Sequence, residues 1–385
     1  MCGKLMCDLL KFLPLLSVQP KSTMKQRLLS VDVLRGITIA GMILVNTPGT
    51  WSAVYPPLLH ADWHGLTATD LVFPFFLFIV GVSIAIAYER KKADAKTFKK
   101  IVSRSVKLIF LGFFLAAFLP FPPFLKDFET LRLPGVLQRI GLVFFISALV
   151  YLYTNTRKQI VILGGLMVGY FIWIKYIPLP NGHLPVLERS LDNWAQYIDF
   201  HLFGKHMWKT DYDPEGLLST LGAVASCIFG ILMGKLLLQK RVRDMVVFAV
   251  IALFFGFVWH MSFPINKALW SSSFVLVTGG LATLLLAALY YWFDVQQRTL
   301  GASFQFFGTN PIALFFASSF MAKCFYLITL PVEGNPSIHQ FLFETLYVQD
   351  FLSLKTSSLL YALSVVAFYY ILGYILYIKR IFIKV

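Results

Sequence analysis

Apolar residues run in stretches of roughly 17 to 25 positions, separated by shorter polar segments, along almost the whole sequence. Each stretch is long enough for one helix to cross the roughly 30 Å hydrocarbon layer of a bilayer. Ten helices are read, at 34–54, 70–88, 103–120, 134–153, 159–177, 215–238, 244–261, 268–292, 304–329 and 356–378. They are not barrel strands, which alternate apolar and polar positions over about ten residues. Leu71 to Ala87 is instead apolar on every face. The expected fold class is all-α integral membrane, a polytopic bundle of about ten transmembrane helices.

Charge then orients the bundle. Lys25, Arg27 and Arg35 precede the first helix, and Arg90, Lys91, Lys92, Lys96, Lys99, Lys100 and Arg104 fill the loop after the second. Arg157, Lys158, Lys240, Arg241, Arg243, Arg298, Lys379 and Arg380 fall on the same side in one consistent threading. The positive-inside bias makes that side cytoplasmic, with both termini there. Segments 55–69, 121–133, 178–214, 262–267 and 330–355 are then external, and hold most of the Trp, Asp, His and Pro outside the helices.

Composition agrees with this reading. With 58% hydrophobic and 14% charged residues, and a mean hydropathy of +0.71, the chain has too little polar surface to coat a soluble globule. The net charge of +15 would suggest nucleic acid in a soluble protein. Here it follows from the loop bias, so membrane lipid is an expected partner and nucleic acid is not. Of the four cysteines, Cys227 and Cys324 sit inside apolar helices and Cys2 and Cys7 near the start, so no external disulfide framework is readable. Residues 1–29 read as a cytoplasmic segment. Met1 to Thr23 carries a short apolar patch broken by Pro14 and lacks a small-residue cleavage site, so Met24 is expected as the native start. Residues 30–385 form one membrane domain without an internal repeat. Its external segment 178–214 mixes Trp194, Tyr197 and Trp208 with His183, His201 and His206, as a lid, a substrate platform or an ordinary capping loop.

Several polar groups interrupt this apolar pattern. Asp32 and Arg35 lie i,i+3 at the cytoplasmic start of the first helix, where they can pair. Either they cap and snorkel, or Arg35 forms part of an anion site, since a guanidinium binds phosphate oxygens in a fork. Asn46 lies eleven residues further along, about 16 Å deeper at 1.5 Å per residue, and is followed by Thr47, Pro48 and Gly49, which end regular hydrogen bonding. It is a packing amide or a donor to an oxyanion. The next loop contains His60, Asp62, Trp63, His64 and Asp70. A neutral histidine there can take up and return a proton near pH 7, and Asp62 and Asp70 are candidates to orient its imidazole. The alternating His60-x-Asp62-x-His64 spacing offers no clear third or fourth ligand, so no metal is expected. Trp63 reads equally well as a headgroup anchor. Arg139, inside a predicted span, is either functional or a structural partner for Asp70 or Glu215. Asp213, Pro214 and Glu215 read as the cap and first turn of the sixth helix, Lys267 and an interfacial Trp270 as the start of the eighth, and Asn310-Pro311 as a break in the ninth.

In order along the chain, these segments resemble the heparan-alpha-glucosaminide N-acetyltransferase family of multi-pass membrane acyltransferases. The resemblance rests on Ser30-Val31-Asp32-x-x-Arg35-Gly36, Val45-Asn46, His60-Ala61-x-Trp63-x-Gly65-Leu66-Thr67 and Asp70-Leu71-Val72-Phe73-Pro74. Further along it rests on Leu133-Pro134-Gly135-Val136-Leu137-Gln138-Arg139, Asp213-Pro214-Glu215-Gly216-Leu217-Leu218 and Asn266-Lys267-x-Leu269-Trp270. It implies transfer of acetyl from cytoplasmic acetyl-CoA, a co-substrate, to the amine of a terminal glucosamine across the membrane. It places the catalytic histidine at His60 and its associated asparagine at Asn46; Asp62 or Asp70 as orienter follows from their nearness in the loop. His64 stands where the family carries asparagine, and no counterpart of the animal enzymes' N-terminal lumenal domain is read. Both features make the chain look like a bacterial, inner-membrane form that acts on a periplasmic amino sugar or glycan.

On that basis Arg35, Arg104, Lys107 and Arg139 are the expected cofactor-binding residues, and Trp63, His64, Glu215 and Lys267 the expected substrate contacts. Direct transfer with His60 as base is preferred over a route through acetyl-imidazole. A homodimer is allowed for, and the rival function is an amino-sugar transporter without acyl transfer, favoured by the broken helices and Arg139.

Overall fold

A computed structural model describes residues 28–383. The expectation that the native chain starts at Met24 lies outside the described residues. Those residues form thirteen α-helices: α1 (Leu29–Asn46), α2 (Ala68–Tyr88), α3 (Ala95–Ala117), α4 (Val136–Tyr153), α5 (Thr156–Tyr176), α6 (Trp194–Phe203), α7 (Thr220–Leu238), α8 (Val242–His260), α9 (Ser272–Leu289), α10 (Gln305–Thr309), α11 (Pro311–Leu327), α12 (Ile338–Leu346) and α13 (Leu354–Ile378). Six residues of π-helical backbone, Tyr290–Val295, prolong α9 as a single irregular segment.

The chain is a multi-pass membrane protein. Among the described residues, eight helices are long and apolar enough to cross a bilayer: α1, α2, α4, α5, α7, α8, α13, and α9 with its extension. The expected ten therefore becomes eight by this measure. The segments that account for the difference are α3, with Lys96, Lys99, Lys100, Arg104 and Lys107 in its first turns, and α11, which is 17 residues long. The basic half of α3 and the short length of α11 set them apart from the eight without taking them out of the bundle.

The core is built where small residues let backbones meet. On α2 and α7, Gly81 faces the carbonyl of Cys227 and Gly230 faces that of Phe78; a β-carbon at either would stand 2.0 or 2.1 Å from the oxygen. Apolar surface gains nothing by leaving lipid, so close packing and hydrogen bonding must hold such helices together. A second reciprocal approach joins α1 to α10, Gly36 against the carbonyl of Phe304 and Gly308 against that of Asp32. By contrast α8 shows Phe248, Ile251, Phe254, Phe255 and Val258 outward, a face that only lipid can satisfy.

Helix ends depart from the expected boundaries for identifiable reasons. The start of α1 is capped from afar, by Asp294 accepting from the backbone N–H of Leu29 and Ser30 at 3.0 Å each. Its end is set at Thr47-Pro48-Gly49, eight residues earlier than expected. Asp213 and Glu215 do not open α7, which begins at Thr220; Arg132 draws both carboxylates into ion pairs and leaves the segment as turns. Trp270 is not interfacial. It is fully buried at the start of α9, with its indole N–H on Ser226 and Phe73 packed edge-on. Asn310 does separate α10 from α11, and its amide grips the C-terminal segment through Ile381 O and Ile383 N.

Candidate functional site

Two polar regions lie at opposite ends of α1. At the end carrying most of the basic loops, the Arg35 guanidinium donates to Asp32 and to Gly308 O at 3.0 Å, and to Ser83 Oγ at 2.8 Å. Asp32 and Arg35 thus pair along one helix face, as the i,i+3 spacing suggested. Arg35 lines a cavity of about 390 Å³ with Ser83, Tyr88 and Arg104, whose guanidinium lies 4.7 Å over the Phe144 ring. Lys107, expected beside them, is exposed and is not among the lining residues; it stands most of a turn away on α3.

At the other end a second cavity, of about 490 Å³, is lined by Asn46, Trp51, Arg132, Gln138 and Tyr326. The two cavities follow one another along the same helices. On α3 the lining passes from Arg104 and Leu108 to Gly112 and Leu115, on α4 from Phe144 and Ile140 to Leu137 and Gln138, and on α11 from Ile312 to Phe315 and Ser318. Arg35 and Asn46 share a face of α1, since eleven residues make close to three whole turns and span about 16 Å. Asn46 is exposed to this space rather than packed.

His60 sits at the same far end, and its partner is Asp70. Its Nδ1 lies 2.7 Å from Asp70 Oδ1. The Asp70 carboxylate is fully buried, and its other oxygen accepts from the backbone N–H of Ala61 and Thr67 at 3.1 Å each; the Thr67 hydroxyl lies 3.0 Å away and shares its one proton with Leu59 O at 2.7 Å. Thr67 and Asp70 also form a capping box at the start of α2, so the helix itself fixes the carboxylate. Two backbone donors on one oxygen and Lys267 3.8 Å from the other favour the carboxylate, so the proton between it and the imidazole is assigned to Nδ1. Nε2 then carries the lone pair, on a side chain that is 52% exposed. Asp62 is exposed and makes no hydrogen bond with His60 among the described residues.

Lys267 completes this group. Its Nζ is 3.1 Å from His60 Nδ1 and 3.2 Å from Nε2. A nitrogen equally close to both ring nitrogens cannot lie in the ring plane without overlapping the carbon between them. The ammonium therefore rides over the face of the ring, leaves the in-plane lone pair of Nε2 open, and reaches Asp70 Oδ1 at 3.8 Å. Burial pulls its pKa below the usual lysine value, against the opposing fields of Asp70 and Glu215.

The remaining expected residues build the surroundings. His64 Nδ1 accepts from the amide of the fully buried Asn266 at 3.1 Å, and its Nε2 faces Glu188 at 3.4 Å without hydrogen-bond geometry. Trp63 donates to Leu187 O at 2.9 Å and packs edge-on to Tyr212, so it is anchored to the 178–214 segment rather than to headgroups. Arg132 was missed by sequence reasoning as a site residue. It binds Asp213 through Nε at 2.8 Å and NH2 at 2.5 Å, and Glu215 at 2.5 Å, while facing the Asn46 cavity. Burial works against its charge, but the hydrogen bonds and fields of the two carboxylates outweigh that and hold its pKa above the ordinary arginine value. The leading Leu131-Arg132-Leu133 pattern, a charge directly before a predicted span, was the only available signal.

Arg139 belongs to neither cavity lining. It is buried at the far end of α4, away from the Arg35 mouth, where NH2 donates to Gly216 O and Ser219 Oγ at 2.7 and 2.5 Å and the guanidinium lies 5.3 Å over Trp270. Cofactor binding does not fit that position; it braces the turn before α7. Among the described residues, no group of three or more His, Cys, Asp or Glu is placed to hold a metal ion.

The same turn carries a pH-sensitive carboxyl. Asp199 on α6, 2% exposed, accepts from Leu217 N at 2.8 Å. Burial pushes its pKa up to about 7, against that hydrogen bond and the field of Arg139. The folded protein thus holds a proton that the unfolded chain releases near pH 4, so this stabilisation is full below that pH and is lost as pH rises through about 7. Thermal stability of purified protein should fall between about pH 4 and 7 and level off above that, and Asp199→Asn should flatten that slope; an unchanged slope in the variant would remove Asp199 as its source.

A family model described as a domain of unknown function, DUF5009, matches residues 27–174, which include Arg35, Asn46, His60 and Asp70. Human heparan-alpha-glucosaminide N-acetyltransferase is 27% identical over 94% of the chain and 61% of its own length. The mouse protein of the same name is 27% identical over 75% of the chain and 53% of its own length. The chain thus spans between about half and three fifths of the curated relatives it matches. The family resemblance carried by the motifs is borne out by these alignments over most of the chain.

Proposed function

We propose that this protein is a transmembrane N-acetyltransferase that takes acetyl from acetyl-CoA at its basic, cytoplasmic face and passes it to the amine of a glucosamine-type sugar at the opposite face. The observation that carries this reading is the succession of the two cavities, from Arg35 and Arg104 at one end to Asn46 at the other. An acyltransferase whose donor and acceptor stay on opposite sides needs such a path. The relatives' names as glucosaminide N-acetyltransferases support the reaction class.

The residues present suit an acyl-CoA. Arg104 and Arg35 offer positive charge to phosphate groups, and the apolar middle of the path, Leu108, Ile140 and Ile312, suits an extended, uncharged arm. Its thioester would then meet the far cavity. At that end, between Asn46 in the cavity and His60, which does not line it, the acceptor nitrogen attacks the carbonyl carbon, the C–N bond forms, the C–S bond breaks, and the thiolate of CoA leaves. His60 Nε2 takes the proton released by the amine, and the resulting imidazolium is held by Asp70 on Nδ1. The Asn46 amide donates to the oxyanion. Lys267, over the ring face, leaves the in-plane lone pair of Nε2 free to take that proton.

Incubating purified protein with acetyl-CoA and a panel of amino sugars, with CoA release as readout, tests the reading directly. Release that depends on a glucosamine-type acceptor is expected. Uptake of labelled glucosamine into vesicles without acetyl-CoA, and no CoA release, would establish transport in its place. Within the enzyme reading, Arg104→Leu should raise the KM for acetyl-CoA about tenfold and leave kcat nearly unchanged, as expected when one charged contact of about 1.4 kcal/mol is removed from uniform binding. An unchanged KM would take Arg104 out of the donor site.

A further inference from the structure

Beyond the far cavity the chain forms a third, wider depression that the reaction above does not use. The segment Gly49 to Ser52 borders it on one side and α12 on the other, and it encloses about 720 Å³, within the roughly 300–1,000 Å³ of typical small-ligand clefts. Trp51 and Tyr326 line both this trough and the Asn46 cavity, so the two spaces meet at a pair of aromatic rings. Both rings are accessible, Trp51 at 56% and Tyr326 at 38%.

The trough is built rather than incidental. Tyr326 is stacked on His339 at 4.0 Å and 22°, and His339 is fixed from below by Pro48 O, 3.2 Å from its Nε2. That stack therefore holds the Tyr326 ring at the junction of the two cavities. Along the opposite wall Gln340 donates to Glu344 Oε1 at 2.9 Å, and no protein group among the described residues bonds the other Glu344 oxygen. Among the described residues of the lining, Glu344 is the only acidic or basic one apart from His339, whose burial pulls its pKa down.

Aromatic rings beside a carboxylate and an amide are the chemistry that recognises a pyranose. The ring's C–H face lies against an aromatic face, and its hydroxyl or amine rim meets the planar polar groups. We propose that this trough binds the sugar unit next to the one acetylated, and that it takes a hexosamine or neutral hexose and rejects a uronic acid. This inference rests on the acyl-transfer reading. Its selectivity follows from Glu344: an ammonium at that unit gains a charged hydrogen bond, whereas a uronate brings a second carboxylate against the first.

The test uses the full chain in lipid nanodiscs with acetyl-CoA and three acceptors: glucosamine, a β-1,4-linked glucosamine disaccharide, and a disaccharide in which glucosamine is linked to glucuronic acid. The glucosamine disaccharide should show a kcat/KM about tenfold above glucosamine and above the uronic acid compound. Glu344→Gln and Gln340→Ala should each shrink that advantage severalfold with glucosamine turnover unchanged. Equal kcat/KM for all three acceptors, or an advantage that survives both substitutions, would overturn the trough. Failure of the transferase reading looks different, as no acceptor then releases CoA. In that event disaccharide binding without acetyl-CoA, followed by tryptophan fluorescence, still decides: saturable binding weakened by Glu344→Gln supports the trough, and its absence in wild-type protein rules it out.

Discussion

His60→Ala is expected to lower acetyl transfer by roughly 10²–10⁴-fold, the usual contribution of a positioned general base, while the protein keeps its thermal stability. The imidazole is half exposed at the far face and contributes little packing, so its loss removes chemistry and not structure. Asp70→Asn should cost a comparable factor by a different route. An amide can donate to Nδ1, which would move the imidazole proton to Nε2 and occupy the lone pair that must accept from the amine. Because Asp70 also caps α2 and is fully buried, this variant should lose about 1–3 kcal/mol of stability as well. Measuring kcat at saturating acetyl-CoA beside a melting curve separates the two effects. Full CoA release by folded His60→Ala protein would eliminate His60 as the base. A stable, active Asp70→Asn protein would show that the orienting bond is dispensable.

The largest structural effect is expected at the crossing of α2 and α7. Gly230→Leu places a β-carbon 2.1 Å from the carbonyl oxygen of Phe78 and close to its Cα, both main-chain atoms that cannot rotate away. The helices must separate, and Gly81 against Cys227 O, one of their other close contacts, separates with them. Overpacking commonly costs 1–3 kcal/mol even where side chains can yield; with backbone on the receiving side the expected outcome is loss of folded, monodisperse protein. Gly164→Leu is the matched control, since a β-carbon there meets nothing within 4 Å and faces lipid or open space. Size-exclusion profiles of the two variants in the same detergent compare them directly. A Gly230→Leu protein that elutes like wild type would mean that the α2–α7 crossing does not hold the bundle together.

Both predictions rest on features with different visibility in the sequence. The membrane class needed only run length and apolarity, which a bilayer imposes on every spanning helix regardless of its neighbours. The pairing of Asp32 with Arg35 and the break at Asn310-Pro311 were also legible, because i,i+3 spacing and a missing backbone N–H act within one helix. The start of α7 was misjudged for the opposite reason. Asp213 and Glu215 have the composition of a cap, but Arg132, 81 residues away for Asp213, claims them. Trp270 likewise reads as an interfacial anchor until Ser226 and Phe73 are seen around it.

The same division runs through the site. Sequence alone determined that His60 stands in a polar loop between two spans with Asp62, His64 and Asp70 as candidate partners, since those residues are close in the chain. Only tertiary structure chose Asp70, because the capping box on α2 turns that carboxylate back toward His60 while Asp62 stays in solvent. Lys267 reached the imidazole face from 207 residues away, Arg139 was taken from the donor mouth to the far end of α4, and Lys107 was left outside the cavity that Arg104 lines. Local spacing settles what one helix or loop does to itself. Which charge meets which ring is settled by how the helices pack, and no pattern within a single segment carries that information.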